Sequence, residues 1–302
     1  MDIRLVTTES VAGTASANLD PKRVAGMAGA GSALLTRQTI DRLGDAGARV
    51  DGVATVSMQL RPNADPIAGL ALINVQLAEA VADALRKGVA PVLVGGNCSH
   101  TIGMIAGIQA AQGPTTRLGL LWLDAHGDFN TPRTSHSGML GGMPVAVAAG
   151  LCWPQWREGA GQQVPLPTNR IVMVDVRNLD AEEEALIRAT DVEVVRFGND
   201  FEIDSIAAAI DRLAADCDQI YVHVDADILD ESLQPNHPTV EPNGPLLEPV
   251  VAVLKHAFGT GKVCAFAVVS VNATGELGPI SVASGTEILV EGVRSWAGSR
   301  AA

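Results

Sequence analysis

The chain has 302 residues, of which 47% are hydrophobic and only 3% aromatic, so Ala, Val, Leu and Ile are expected to form its core. Its net charge of -13 argues against nucleic acid and anionic membranes as partners, because both favour basic surfaces. No uninterrupted apolar run approaches the ~20 residues of a transmembrane helix. The four cysteines show no CxxC spacing and no signal peptide is apparent, which predicts reduced thiols in a cytoplasmic protein.

Apolar runs alternate with amphipathic stretches along the chain. We predict strands at residues 3–6, 52–56, 90–94, 118–123, 171–176, 192–197, 219–224 and 263–271. We predict helices at residues 75–87, 181–189, 203–215 and 247–258. This alternation is typical of a mainly parallel sheet of about eight strands with helices on both faces. We therefore predict one α/β domain over residues 1–302.

Two clusters of metal-binding side chains follow predicted strands. Asp124, His126 and Asp128 stand at i, i+2 and i+4 after one strand, and Asp225 and Asp227 repeat the spacing after another. Alternate side chains of an extended segment share one face, so each cluster is expected to converge. Asp also favours turns, but carboxylates this close repel one another unless cations lie between them. The set favours Mn²⁺ or Mg²⁺ over structural Zn²⁺, and two bridged ions would generate a hydroxide nucleophile.

The predicted strand at residues 90–94 ends in a glycine turn followed by Cys98, Ser99 and His100. Cys98 has three interpretations: a small buried hydrophobe, a metal ligand or a nucleophile. A helix that begins near Ser99 would turn His100 away from Cys98, although His100 is itself a candidate ligand. The loops at 130–142 and 230–245 follow the two carboxylate clusters and are expected to form the active face, because ligands bind at the carboxyl ends of strands.

Together these motifs resemble those of the arginase, or ureohydrolase, family. The most specific are Asp-Ala-His-x-Asp-x-Asn-Thr-Pro at residues 124–132 and His-Val-Asp-Ala-Asp-Ile-Leu-Asp at residues 223–230. The resemblance covers most of the chain. It implies a three-layer α/β/α hydrolase with two Mn²⁺ ions per subunit, which cleaves guanidino or amidino C–N bonds with a metal-bridging hydroxide. It also implies a homo-oligomer, a trimer or a hexamer. The metal-ligand positions it implies are Cys98, Asp124, His126, Asp128, Asp225 and Asp227.

Three positions depart from the arginase pattern. Cys98 stands where the family usually has a histidine ligand. Gly141 stands where arginases have a histidine that shuttles protons, and Ser270 replaces the glutamate that holds the guanidinium. The cysteine and glycine together resemble a branch that hydrolyses Nω-hydroxy-arginine, whose hydroxyguanidine is less basic and needs less help from an anionic side chain.

The other end of the substrate site resembles that of arginases. Asn130, Ser135 and Ser137 match positions that bind the carboxylate of the amino acid, and Asp180 matches one that holds its α-amino group. Asp180 also has an alternative interpretation as the cap of the helix that follows. Glu183 is expected on the solvated surface.

The sequence therefore predicts a binuclear-metal hydrolase that cleaves a linear C–N bond of an amino-acid-like small molecule. Asp128 is the expected proton acceptor and Ser270 an expected substrate contact. Two alternatives stay open. One is a family member that keeps the fold without catalysis and acts as a metal-binding or subunit partner. The other is a cysteine hydrolase with Cys98 as nucleophile, which would need a base within reach.

Overall fold

The computed structural model describes residues 1–14, 19–57 and 65–301. The strands are β1 (Asp2–Thr8), β2 (Arg49–Val56), β3 (Ala90–Val94), β4 (Leu118–Leu123), β5 (Ile171–Val174), β6 (Glu193–Val195), β7 (Gln219–Asp225) and β8 (Val263–Val269). The α-helices within the described ranges are α1 (Pro21–Gly26), α2 (Ala30–Leu34), α3 (Arg37–Asp45), α4 (Pro66–Arg86), α5 (Thr101–Gln112), α6 (Pro144–Ala148), α7 (Pro154–Gly159), α8 (Ala181–Arg188), α9 (Asp204–Asp216), α10 (Leu247–Gly259) and α11 (Gly278–Ala301).

The described strands form one eight-stranded sheet in the order β2-β1-β3-β8-β7-β4-β5-β6, and every paired neighbour is parallel. This confirms the predicted fold class and each predicted strand. The helix predicted at residues 75–87 begins earlier, at Pro66, where the Asp65 side chain accepts a hydrogen bond from the amide of Ile67. Helix α11 was not predicted, because its Gly and Ser residues have low helix propensity.

Two separate hydrophobic cores lie on opposite faces of the sheet, which makes the fold three-layered. Successive strand residues alternate between them: Leu5 and Val92 belong to one core, and Val6 and Leu93 belong to the other. Helices α3, α9, α10 and α11 cover the first face, and α4, α5, α6 and α7 cover the second. Burial on both faces explains why the central strands are continuously apolar.

Helix α4 is long and apolar, and most of it is buried in the protein core. Among the described residues it is the one helix long and apolar enough to cross a membrane, but 61% of that window is buried inside the protein. It packs against α5 and α7. The apolar surface of α4 is therefore used within the core.

Four central strands end at the same level of the sheet. Leu123 of β4 pairs with Val224 of β7, Val224 pairs with Val268 of β8, and Val268 pairs with Val94 of β3. The residues that follow these strands are consequently brought to one edge. Every motif singled out from the sequence lies at this edge.

Candidate metal centre

The two aspartate pairs turn the chain at the ends of β4 and β7. Asp124 Oδ1 accepts a hydrogen bond from the amide of His126 at 2.7 Å, and Asp225 Oδ1 accepts one from the amide of Asp227 at 3.0 Å. Such turns, in which an aspartate bonds to the backbone two residues on, are a common use of Asp. They keep both members of each pair at the sheet edge, so the two clusters converge as predicted.

Three groups of donor atoms in the described residues are close enough to hold an ion, with all atoms of a group within 4.8 Å of one another. The groups are Cys98, Asp124 and Asp225; Asp124, His126 and Asp227; and Asp225, Asp227 and His237. Each of the aspartates Asp124, Asp225 and Asp227 belongs to two groups. Asp128 lies outside these groups, but its side chain lines a cavity beside them.

Cys98 reaches the cluster through the glycine turn after β3. Gly95 has φ +83°, and a Cβ there would lie 2.8 Å from the amide nitrogen of Gly31, so only glycine fits without a shift. Cys98 Sγ lies 2.8 Å from Asp225 Oδ2 and 3.6 Å from Asp124 Oδ2. This contact with two carboxylates is what a metal ligand at Cys98 requires. His100, also a candidate, is in none of the donor groups found in the described residues.

The geometry does not favour Cys98 as a nucleophile. Apart from Asp225, which belongs to two of the donor groups, the nearest base is His223, whose Nε2 lies 3.4 Å from Cys98 Sγ. His223 is stacked on Trp122, and burial lowers its pKa to about 3, so it is a weak proton acceptor. Burial and, to a smaller extent, the nearby carboxylates raise the pKa of the Cys98 thiol well above its usual value. A thiolate is therefore disfavoured here without a cation.

His126 is oriented by acidic side chains on both ring nitrogens. Nδ1 lies 3.1 Å from Asp227 Oδ2, and Nε2 lies 3.0 Å from Glu241 Oε1, which also accepts from Asn178 Nδ2 at 2.8 Å. Burial opposes the imidazolium, but these carboxylates together raise the pKa of His126 well above its usual value. A carboxylate on the far side of a histidine is typical of metal sites. Glu241 was not predicted.

His237 is a second residue that sequence reasoning missed. Its side chain is buried among Asp225 and Asp227, and its Nε2 has no hydrogen-bond partner in the described residues. An unsatisfied buried polar atom costs about 1–3 kcal/mol. The one feature of the sequence that pointed to His237 as a site residue is its position in the Pro-rich loop after the second carboxylate cluster.

Without a bound cation, the carboxylates of the cluster would repel one another. Burial and the neighbouring carboxylates raise the pKa values of Asp124 and Asp128 well above the usual range and that of Asp225 to about 6. Burial also opposes the charge of Asp227, but His126 holds its pKa below the usual value. No Lys or Arg lines the cavity in the described part of the chain. Buried carboxylate, imidazole and thiol donors without a basic partner fit divalent cations.

The cavity beside the cluster contains the predicted substrate residues. Its volume is about 170 Å³, smaller than the roughly 300–1,000 Å³ of sites for drug-sized ligands. Asn130, Ser135, Ser137 and Asp180 all line it. Asp180 stands at the N-cap of α8, but its side chain makes no capping hydrogen bond and instead accepts from Asn130 Nδ2 at 3.3 Å. The capping alternative therefore does not explain Asp180.

The expectation that Glu183 is solvated was wrong. Glu183 is 4% exposed, and its Oε1 accepts a hydrogen bond from the amide of Phe129 at 2.8 Å. The first turn of α8 packs against the segment after β4, where a Cβ on Gly127 would lie 2.9 Å from Glu183 Oε1. Burial raises the pKa of Glu183 to about 7.

Ser270 lies at the end of β8 and faces the carboxylates. Its Oγ donates a hydrogen bond to Asp225 Oδ2 at 2.5 Å. Its side chain lines the cavity, but its hydroxyl hydrogen is used in the bond to the carboxylate cluster. The structure thus places a neutral hydroxyl beside the carboxylate cluster at Ser270, where the resemblance to arginases implies a glutamate.

Comparisons with known proteins agree with this fold. The arginase of Bacillus caldovelox is 33% identical over 168 residues, 54% of this chain and 54% of that protein. The N(omega)-hydroxy-L-arginine amidinohydrolase of Streptomyces lavendulae is 32% identical over 161 residues, 53% of this chain and 54% of that protein. The chain thus matches about half the length of these relatives. The crystal structure of arginase from Bacillus subtilis has a TM-score of 0.80 at 23% identity and covers 97% of this chain and 98% of its own, which shows the fold.

The fold and the site together define a three-layer α/β protein with a candidate metal centre at the carboxyl ends of its central strands. The sequence model of the arginase family matches residues 15–293. The chain belongs to the arginase family, which confirms the resemblance carried by its motifs.

Proposed function

We propose that the chain is a binuclear-metal hydrolase that cleaves a linear amidino, hydroxyguanidino or ureido C–N bond in a small amino-acid-like molecule. The observation that carries this proposal is the sharing of Asp124, Asp225 and Asp227 between donor groups. Mn²⁺ suits the set, because carboxylates predominate over imidazoles. When bound, two such ions supply a water molecule of lowered pKa as nucleophile.

In this proposal Asp128 holds and transfers the proton. It lines the cavity, and burial raises its pKa well above the usual range. A carboxyl group of raised pKa can take up a proton near neutral pH and return it to the leaving amine. Gly141 lines the same cavity where arginases have their shuttle histidine, so proton transfer is assigned to Asp128.

The substrate is held at the opposite end of the cavity. Asn130, Ser135 and Ser137 are assigned to its carboxylate, and Asp180 is assigned to its α-amino group. Ser270 offers no charge to a guanidinium, and a buried unpaired cation is costly. We therefore favour a less basic group, such as the hydroxyguanidine of Nω-hydroxy-arginine, over arginine itself.

A panel of arginine, Nω-hydroxy-arginine, agmatine, guanidinobutyrate and ureido acids tests the substrate. Release of urea, hydroxyurea or amine is measured in the presence of Mn²⁺. Turnover of the amino acids, with Nω-hydroxy-arginine above arginine, is expected. Turnover of agmatine alone would contradict the carboxylate-binding role of Asn130, Ser135 and Ser137.

Metal binding is predicted independently of the substrate. The chain should bind about two Mn²⁺, and at about 100 times Kd each site adds about 2.7 kcal/mol to the free energy of unfolding. Elemental analysis gives the stoichiometry, and thermal unfolding with Mn²⁺ or with chelator gives the stabilisation. The metal hydrolase proposal fails if no metal is bound and Mn²⁺ leaves Tm unchanged. An inactive protein that binds both ions would instead indicate the alternative without catalysis, which the enzymatic relatives do not favour.

Cys98→His should lower the preference for Cd²⁺ over Mn²⁺ by about tenfold or more, because a thiolate binds soft cations more strongly than an imidazole does. Competition titrations of the metal-free proteins measure the ratio. Cys152→Ser, at a cysteine outside every donor group of the described residues, is the matched control. An unchanged ratio in Cys98→His would show that Cys98 does not bind the metal.

A further inference from the structure

His237 lies on the loop after β7, with its ring inside the carboxylate cluster. Its Nε2 lies 3.8 Å from Asp225 Oδ1, and its Nδ1 lies 3.5 Å from Asp227 Oδ2. Two ligand atoms that are each about 2.1 Å from one ion lie about 3–4 Å apart. The distance from Nε2 to Asp225 is therefore that of two ligands of one ion, and one ring nitrogen lies within 4.8 Å of a carboxylate oxygen of both aspartates.

The position of His237 is fixed by hydrogen bonds to distant parts of the chain. Asn272 Nδ2 donates to the carbonyl of Asn236 at 2.9 Å, and Ser281 Oγ donates to Asn236 Oδ1 at 2.6 Å. Arg23 donates to the carbonyl of His237 itself at 3.2 Å. The imidazole is thus held in the cluster by its backbone, as a preorganised metal ligand would be.

The surroundings of the ring leave Nε2 available. Nδ1 lies 3.0 Å from both the carbonyl oxygen and Oγ1 of Thr239 and 3.2 Å from the Thr239 amide, so the hydrogen bonds of the ring are at Nδ1. A histidine whose Nδ1–H donates to a backbone carbonyl keeps its lone pair on Nε2, which is a frequent arrangement in metal-binding histidines. His237 is 4% exposed, and among the described residues its Nε2 has no hydrogen-bond donor.

We propose that His237 binds, through Nε2, the divalent ion held by Asp225 and Asp227. This inference rests on the proposed function, because it requires the cluster to bind metal. It adds a ligand outside the two motifs at residues 124–132 and 223–230. A neutral imidazole at this point adds a donor without adding charge to the crowded carboxylates.

The test uses His237→Gln, which keeps a polar side chain of similar length, and His256→Gln as the matched control. His256 lies on α10, where it contacts Asp211. Metal-free proteins are titrated with Mn²⁺ by calorimetry. We expect His237→Gln to weaken one of the two binding steps by about tenfold or more and His256→Gln to match the natural chain.

Two further readouts separate loss of a ligand from loss of the fold. In chelator, His237→Gln should unfold at a Tm close to that of the natural chain. With Co²⁺ bound, its ligand-field bands should change while the charge-transfer band of the Cys98 thiolate is retained. If His237→Gln does not fold, the same measurements are made on His237→Ala.

Unchanged Mn²⁺ affinity and unchanged Co²⁺ bands in a folded variant would overturn the assignment of His237. The residue would then be a hydrogen-bond partner of the aspartates or a substrate contact. Absence of Mn²⁺ binding by the natural chain would overturn the proposed function itself, so the two failures are distinguishable.

Discussion

Asp124→Asn should reduce kcat/KM by at least about 10³-fold, a loss of about 4 kcal/mol of transition-state stabilisation. Asp124 belongs to both the Cys98 group and the His126 group, so its loss disturbs two ions at once. Metal content should fall below that of the natural chain. Steady-state kinetics on the substrate identified by the panel, together with elemental analysis, measure both effects.

Asp211→Asn is the control for this prediction, because Asp211 contacts His256 on the surface and has an exposed side chain. Metal-free Asp124→Asn should be at least as stable as the metal-free natural chain, since it removes one buried carboxylate without changing shape. Full activity in Asp124→Asn would refute the binuclear site. A large loss of Tm in chelator would mean that the lost activity reflects unfolding.

Glu183→Gln should change the pH dependence of stability more than any surface substitution. Burial raises the pKa of Glu183 from 4.5 to about 7 in the folded chain, while the unfolded chain keeps an ordinary value. The contribution of the buried, protonated Glu183 to the free energy of unfolding is fully present below pH 4.5 and is lost as pH rises through about 7. The difference between the two pKa values corresponds to about 3 kcal/mol of stability. The Glu183→Gln variant should not show this loss, because Gln cannot ionise.

Urea unfolding of the metal-free protein from pH 5 to pH 8 measures this effect. Asp124 and Asp225, whose pKa values are also raised, change stability in the same direction in both proteins. The charge of Glu183 helps to raise the pKa of Asp128, so the comparison measures Glu183 together with this effect. Glu184→Gln, at the neighbouring exposed position that pairs with Arg188, is the matched control. Equal pH dependence in Glu183→Gln and the natural chain would show that Glu183 is not buried as a neutral acid.

The sequence was sufficient to predict the strands and the convergence of Asp124 and Asp225. Each follows a continuous apolar run, and parallel strands align their carboxyl ends. His237 and Glu241 were not predictable in this way, because the path of their loop depends on long-range hydrogen bonds such as that between Asn272 and Asn236. A loop without periodicity carries little information about which of its side chains turns inward.

Glu183 shows a different limit. It lies within a run of three glutamates in the first turn of a helix, a pattern typical of a solvated surface that also suits the helix dipole. Its burial depends on how the start of α8 packs on the segment after β4, which is a property of tertiary structure.

The place of β8 in the sheet has a consequence for the order in which the site is assembled. Among the described strands, β8 alone joins β2-β1-β3 to β7-β4-β5-β6, although it is the last to leave the ribosome. Cys98 and Asp225 lie on opposite sides of this seam and are brought together when β8 is inserted between β3 and β7. The Cys98 group is therefore complete only once β8 is in place, whereas the other two donor groups follow β4 and β7 and do not cross this seam.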